Sequence, residues 1–456
     1  MVNGERHDPE AVRRLVARVL AGVQGGDAEA VYIARDFALT RFANSQIHQN
    51  VVEHDATLRL RLADEGRTGV ASTNRLDDDG LRDVIQRATA IRDRASRNPD
   101  AAPLPEGSST PHATLGTAEA TTSADPSTRA VAARAVIAAA DGGGLTASGA
   151  FSTETQTMAV ANTRGLERSE TSTLAKLVTV VMDDAGASGY SQAVSIDAAD
   201  IDGSSVGAEA VDKATRSAGA SDLEPGEYPV VLEPFAIGTV LEYLSFISFN
   251  ALAVEEGRSF MELGRQVMGA NVDIWDDGCD SQGAPSTIDF EGVAKRRVDL
   301  VSAGIATGVV HDTTTARRAG TESTGHALPA PNTWGPMAWN LFMAPGESSA
   351  EDLMAKLDRG IWVTRFHYVN IVHAKKGILT GMTKDGTFLI EGGKVVRPIR
   401  NLRFTQSIPE AFSRIQAVGR ETRLVAAEYS GIIARAPALL IDRFAFTGAT
   451  GSDGPG

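Results

Sequence analysis

The side chains best suited to hold a metal or move a proton are eight histidines: His7, His48, His54, His112, His311, His326, His367 and His373. A hydrolytic zinc helix of the HExxH type needs two imidazoles four residues apart with a glutamate beside the first, and no pair here has that spacing. His367 and His373, six residues apart, lie in "RFHYVNIVH". As a strand this stretch puts both rings on one face, but six residues at about 3.3 Å each separate them by about 20 Å. They read as strand histidines with hydrogen-bonded rings.

The lone cysteine, Cys279, sits in "NVDIWDDGCDSQGAP" beside Asp276, Asp277 and Asp280. Like-charge repulsion from these carboxylates raises the thiol pKa and works against a thiolate nucleophile. Together with Asp273 they lack the ligand spacing and terminal glutamate of a calcium loop. There is no GxSxG elbow for a serine hydrolase. What remains is "GVVHDTTTARRAGTESTGHA", Gly308 to Ala327, a polar loop after the apolar run "VDLVSAGIA". Its His311, Asp312, Arg317, Arg318 and His326 are candidates to line a cleft.

The elements that must position such residues are legible in part. Asp8 and Pro9 suit the N-cap and first position of a helix in which Val12, Leu15, Val16, Val19, Leu20 and Val23 recur at helical spacing. From Val31 the pattern becomes strand-like: Leu58, Leu60 and Leu62 alternate with Thr57, Arg59 and Arg61, and "DEGR" reads as a hairpin turn. A second helix presents Leu81, Val84, Ile85 and Ala88. The Pro-, Ser-, Thr- and Ala-rich stretch that follows has no apolar period and reads as a linker or surface excursion. Asp125 and Pro126 then repeat the first capping device, which suggests an internal duplication. Beyond "SDLEPGEYP" one clear helix, about Ala236 to Phe249, stands among many strands, and Gly392 and Gly393 supply the turn of the hairpin "TFLIEGGKVV".

The expected fold is α+β. Residues 1–94 form an N-terminal α+β domain, 95–124 the linker and 125–225 a middle α+β domain, both domains with antiparallel sheets. Residues 226–447 form a β-rich C-terminal domain with one buried helix, and 448–456 a disordered tail. The chain length of 456 residues suits two to three domains of roughly 100–200 residues. No apolar run approaches the roughly 20 residues needed to cross a bilayer, so no membrane association is expected. The start "MVNGERHDPEAVRRL" lacks the apolar segment of a secretory signal, and one cysteine cannot form an internal disulfide; both point to the cytoplasm. A net charge of −14, with no basic cluster larger than Lys295, Arg296 and Arg297, argues against nucleic acid.

Four stretches, "ALTRFANSQIHQN", "EGRSFMELGRQV", "IDFEGVAKRRVDLVSAGIATGVVHDTTTARRAGTESTGHA" and "TGMTKDGTFLIEGGKVVRPIRNLRFTQSI", resemble in that order parts of the TldD/PmbA family, from about Val31 to Phe412. The first is similar to the TldE (PmbA) side. The resemblance implies a cytoplasmic two-component zinc metallopeptidase in which TldD and TldE form a heterodimer around a cavity and process unfolded, leader-bearing or natural-product peptides. In that family the TldD subunit carries HExxxH after the first strand of its C-terminal domain and a further ligand downstream, and TldE carries no zinc. Laid on "VVLEPFAIGTVLEYLSF", the pattern puts Glu242, Tyr243 and Ile247 where His, Glu and His would stand. A zinc hydrolase needs neutral imidazoles around the ion and a carboxylate to take the water's proton, and these three side chains do not supply that set.

The resemblance therefore implies no catalytic residue, no metal ligand and no cofactor in this chain, zinc in a TldD-like partner subunit, and a peptide as substrate. The strand segments from Trp362 to Val372 suit capture of an extended peptide by strand addition, which makes Arg365 and His367, with His311 and His326, the substrate-cleft candidates. Two alternatives stay open. One is an autonomous hydrolase using Glu242 with His367 or His373; the other is a binding or scaffold protein without a peptidase role.

Overall fold

Asp8 and Asp125 open the architecture in the same way. Each carboxylate accepts a hydrogen bond from the backbone N–H three residues on, at 2.6 Å from Ala11 and 2.7 Å from Thr128, and each precedes a proline whose missing N–H costs nothing there. In the computed structural model, which describes residues 5–427 and 430–449, each cap heads an α-β-β-β-α unit. The first comprises α1 (Pro9–Ala21), β1 (Asp27–Ala43), β2 (Gln46–Asp64), β3 (Arg67–Thr73) and α2 (Asp78–Arg94). After a short α3 (Glu119–Thr122), the second comprises α4 (Pro126–Gly142), β4 (Thr146–Asn162), β5 (Glu167–Met182), β6 (Ser188–Ser195) and α5 (Gly203–Arg216). The repeated cap thus marks a repeated unit.

The two units do not make separate sheets. β1 and β4 pair antiparallel from Glu29↔Asn162 to Phe42↔Gly149, giving one six-stranded sheet in the order β3-β2-β1-β4-β5-β6. Helices cover one face; Val12, Leu15, Val16 and Val19 pack with Leu58, Leu60 and Leu62 in one half, and Val136 and Ala140 with Leu177 and Val181 in the other. Gly69 in β3 and Gly189 in β6 let the last helix of each unit come against the sheet. A Cβ on either would stand 2.1 Å from a helix carbonyl oxygen, that of Ala88 or Ala210. Gly189→Ala or Gly69→Ala is expected to destabilise by about 1–3 kcal/mol, read as a lower urea midpoint; an unchanged midpoint would contradict this close approach.

The stretch between the units is laid against β5. β6 pairs with β5 only over Ala175–Met182, and in the part left open Ser109 and Ala113 bridge to Glu167 and Glu170.

The C-terminal region is built on β7 (Gly226–Leu232), α6 (Pro234–Ile247), α7 (Ala251–Glu255), β8 (Ile274–Asp276), β9 (Val298–Ser302), β10 (Ile305–Ala306), α8 (Thr313–Ala319) and β11 (Asn340–Met343). It continues with α9 (Ala350–Ala355), β12 (Arg359–His373), β13 (Ile378–Glu391), β14 (Lys394–Pro398), β15 (Leu402–Ser407), α10 (Ile408–Phe412), β16 (Ile415–Ala426) and β17 (Ile433–Ala449). β7 pairs with both β12 and β17, so β17, β15, β13, β12 and β7 close into a ring. Phe366, Phe404 and Phe444, one from each of three ring strands, meet with ring centroids 4.3–5.8 Å apart. Aromatic packing of this kind makes the centre of the ring a solid core.

The expected α+β class holds, with antiparallel pairing throughout the first sheet and a mixed second sheet. The apolar helix after the "VVL" strand is α6, two residues earlier than its sequence pattern placed it, because Pro234 takes the first turn and Ser248 leaves helical geometry. Of the expected tail, residues 450–456 lie outside the described residues, whereas Gly448 and Ala449 belong to β17. In β12 a positive φ of 48° at Tyr368 and shifts of register on either side break the strict alternation expected between His367 and His373. Among the described residues no helix is long and apolar enough to cross a membrane.

Candidate functional site

The strand β7 leads through Glu233 and Pro234 into α6, and the side chains along this helix point to three different neighbours. Near its start, Glu233 accepts from Lys213 Nζ at 2.7 Å, Trp362 Nε1 at 2.6 Å and Thr364 Oγ1 at 3.2 Å, which ties the helix to α5 and β12. Glu242, 2% exposed, accepts from the backbone N–H of Ser430 at 3.0 Å through Oε1. Tyr243 donates its hydroxyl to the carbonyl of Val369 in β12, and Ile247 is buried in the main core. A carboxylate, a phenol and an alkyl chain that point to different neighbours do not fit zinc, which takes imidazole, thiolate and carboxylate donors converging at about 2.0–2.3 Å. Among the described residues no three His, Cys, Asp or Glu side chains are grouped to hold a metal ion.

Ser430, which holds Glu242, also borders a cavity of about 450 Å³ between the helix-free face of the first sheet and the C-terminal region. Met158 and Leu174 line the sheet side, and Ile288, Phe290, Trp339 and Ile433 the other. Polar side chains line it in equal measure, and several are fixed. Arg35 and Glu154 pair at 2.6 Å on the sheet, and Lys295 Nζ donates to Asn340 Oδ1 at 2.8 Å opposite. Asp289 staples two loops together: it accepts from the N–H groups of Glu291, Val293 and Ala327, each at 2.9 Å. Apolar side chains set beside oriented polar groups give the cavity the character of a ligand pocket.

Under this cavity lies a buried imidazole–carboxylate pair. His326 Nε2 is 2.8 Å from Asp276 Oδ1 and its Nδ1 is 2.9 Å from Thr324 Oγ1, while Asp276 Oδ2 accepts from the Asn340 N–H at 2.8 Å. Burial pushes the Asp276 carboxyl up, but the charge and hydrogen bond of His326, with Lys295 and the Asn340 N–H, outweigh it and hold it below the usual range. With both ring nitrogens taken, His326 has none left for substrate or metal.

The other cleft candidates lie elsewhere. Arg365 donates to the buried Asp385 at 2.7 Å and covers the Tyr190 ring at 4.5 Å, so it fastens β12 to β6. The His311 carbonyl accepts from the Thr324 N–H at 3.1 Å and its N–H donates to Thr324 Oγ1 at 2.7 Å, and burial lowers its imidazole pKa. His367 is half-buried on β12 next to Tyr368. Only His326 of the four borders the cavity. Cys279 has its thiol pushed up first by burial and second by Asp277, whereas Asp276 faces His326. Sequence reasoning missed Lys295, Asp289 and Asn340; Lys295 entered only as part of the basic run "KRR", and it is buried.

The first sheet is locked to this region by Arg61 in β2, which reaches Glu29 at 2.6 Å and Glu291 at 3.3 Å. Glu170 in β5 does the same, accepting from Ser286 Oγ, Thr287 N and Thr287 Oγ1 at 2.6–2.9 Å.

Three family models match the chain. Domain 1 of the PmbA/TldA metallopeptidases matches residues 28–92, their central domain 113–218 and their C-terminal domain 225–448. A metalloprotease of Methanothermobacter thermautotrophicus is 25% identical over 216 residues, 47% of each chain. A metalloprotease TldD homolog of Buchnera aphidicola is 28% identical over 223 residues, 47% of this chain and 45% of that one. These alignments span about half the length of the relatives. The crystal structure of TldE from Thermococcus kodakarensis shares the fold, with a TM-score of 0.84 at 18% identity over 96% of this chain and all of that one (100%). With its three regions matched in order, the chain belongs to the PmbA/TldD metallopeptidase family.

Proposed function

We propose that this chain is a TldE-like, non-catalytic subunit that pairs with a TldD-like zinc metallopeptidase, completes its chamber and holds peptide substrate there. The observation that carries the reading is α6: at the positions where the family's zinc helix would need His, Glu and His it has Glu242, Tyr243 and Ile247, turned to Ser430, Val369 and the core. Zinc, the proton transfers of hydrolysis and the scissile bond then belong to the partner. This chain contributes binding and exclusion of water, with the cavity beside Ser430 receiving part of the peptide.

A surface next to α6 suits the partner. Pairing of β7 with β12 ends at Val363, and farther along β12 the side chains of Tyr368, Ile371 and Val372 are exposed. Trp334, 65% exposed, meets Phe246 of α6 edge-on at 6.5 Å. Exposed aromatic and branched side chains gathered beside one helix are a usual composition for a subunit interface. Co-expression with a TldD-like HExxxH protein from the same genome tests the proposal. The expected result is a stable complex with zinc in the partner, peptide cleavage by the complex and none by this chain alone. Stoichiometric zinc and cleavage in the isolated chain, or failure of the two proteins to associate, would overturn it.

A further inference from the structure

On the helix-covered face of the first sheet, away from α6, the guanidinium of Arg129 is one of the largest fully buried side chains, at 1% exposure. It stands in the first turn of α4 and lines a small cavity of about 150 Å³ with Ala38, Val52, His54, Thr153 and Thr155. Its Nε donates to Thr40 Oγ1 at 3.3 Å, and Nη1 to the Ala124 carbonyl at 2.9 Å and Thr153 Oγ1 at 3.4 Å. Nη2 is buried with no hydrogen-bond partner. Its hydrogen-bond acceptors are all neutral, and the carboxylate whose charge acts on it, Asp125, is taken up by Thr128 N at 2.7 Å and Ser127 Oγ at 2.7 Å. The carboxylates at the cavity wall are already engaged: Asp36 with Arg6, His7 and His54 at 2.9–3.4 Å, and Glu154 with Arg35 at 2.6 Å.

A buried guanidinium stays protonated, and burial with no carboxylate in hydrogen-bond contact is costly. Water satisfies an N–H but not the charge, whereas an oxyanion satisfies both, with short charge-assisted hydrogen bonds. At about 30 Å³ per water the cavity has room for a small anion and some of its solvent. We infer that this cavity is a binding site for a small oxyanion, a carboxylate or a phosphate, with Arg129 Nη2 as its principal donor and the Thr153 and Thr155 hydroxyls beside it. The site is independent of the proposed subunit role, because it lies on the opposite face of the sheet from the cavity beside Ser430.

Calorimetric titration of the full chain with sodium phosphate and, separately, sodium acetate, against sodium chloride at matched ionic strength, tests the inference. Saturable binding of at least one oxyanion is expected, and which one binds distinguishes the tetrahedral from the planar ligand. Arg129→Lys keeps the charge but loses the planar fork and is expected to weaken binding by roughly tenfold or more. Ala38→Leu narrows the cavity while leaving the guanidinium in place, so it serves even where the arginine variant fails to fold, and it should abolish binding. No binding beyond chloride in the wild-type chain, or wild-type affinity in either folded variant, would overturn the assignment.

Discussion

Arg61→Ala is expected to lower the free energy of unfolding by about 3–5 kcal/mol, because it removes the cation that bridges two buried carboxylates. Arg61 touches Glu29, 2% exposed, at 2.6 Å and Glu291 at 3.3 Å, and Glu291 belongs to the C-terminal region. Burial raises the Glu29 pKa even with Arg61 present, Arg61 opposes that rise, and Glu291 adds to it. Without Arg61 the rise is larger. A carboxyl raised in the folded state contributes stability that is fully present below its unfolded value, about 4.3, and is lost as pH rises through the folded value. The deficit of the variant should therefore be greatest near pH 7–8 and shrink toward pH 5. Denaturant unfolding across that range measures it, and adding Glu29→Gln to the variant should recover part of the loss. A deficit that does not change with pH would mean that lost packing, not charge, is responsible.

What the sequence disclosed and what it hid divide along the range of the interactions. The caps at Asp8 and Asp125, the hairpin turns at Gly66 and at Gly392 and Gly393, and the apolar helix after "VVL" depend on residues within a few positions of one another, and each is where local pattern put it, the helix to within two residues. The joining of two units through β1 and β4, and the ring closed by β7 on β17, depend on partners far apart in the chain, which periodicity does not encode. The site divides the same way. Glu242, Tyr243 and Ile247 came from the family resemblance, whose motif falls within one helix. The cavity did not, since Lys295, Asn340 and Ser430 come from separate loops and only the fold collects them. Arg365, a substrate-cleft candidate on its strand, is held by Asp385 and covers Tyr190. Side-chain type along a strand does not reveal which sheet packs across it.

Asp276→Ala is expected to cost a comparable 3–5 kcal/mol, about the effect of breaking a buried pair, because both partners have no solvent exposure and the imidazole would lose its carboxylate partner. The same change frees the Asn340 N–H that Asp276 accepts, and Asn340 holds Lys295 at the cavity wall. Damage should therefore reach the cavity as well as the core. Asp276→Asn separates the two consequences, since it keeps the shape and removes the charge. Asp276 has its pKa depressed in the folded state, so its contribution is present above the unfolded value, about 3.9, and is lost as pH falls through the folded one. Wild-type stability should fall in that acid window, and Asp276→Asn, with no carboxyl to titrate, should lose that part of the slope while starting from a lower plateau at pH 7. Assayed in complex with a TldD-like partner, the asparagine variant should raise KM for peptide and leave kcat close to wild type, since the proposed role of this wall is to bind rather than to react. A fall in kcat with KM unchanged would instead place the pair in the chemistry of cleavage and count against a purely supporting role for this chain.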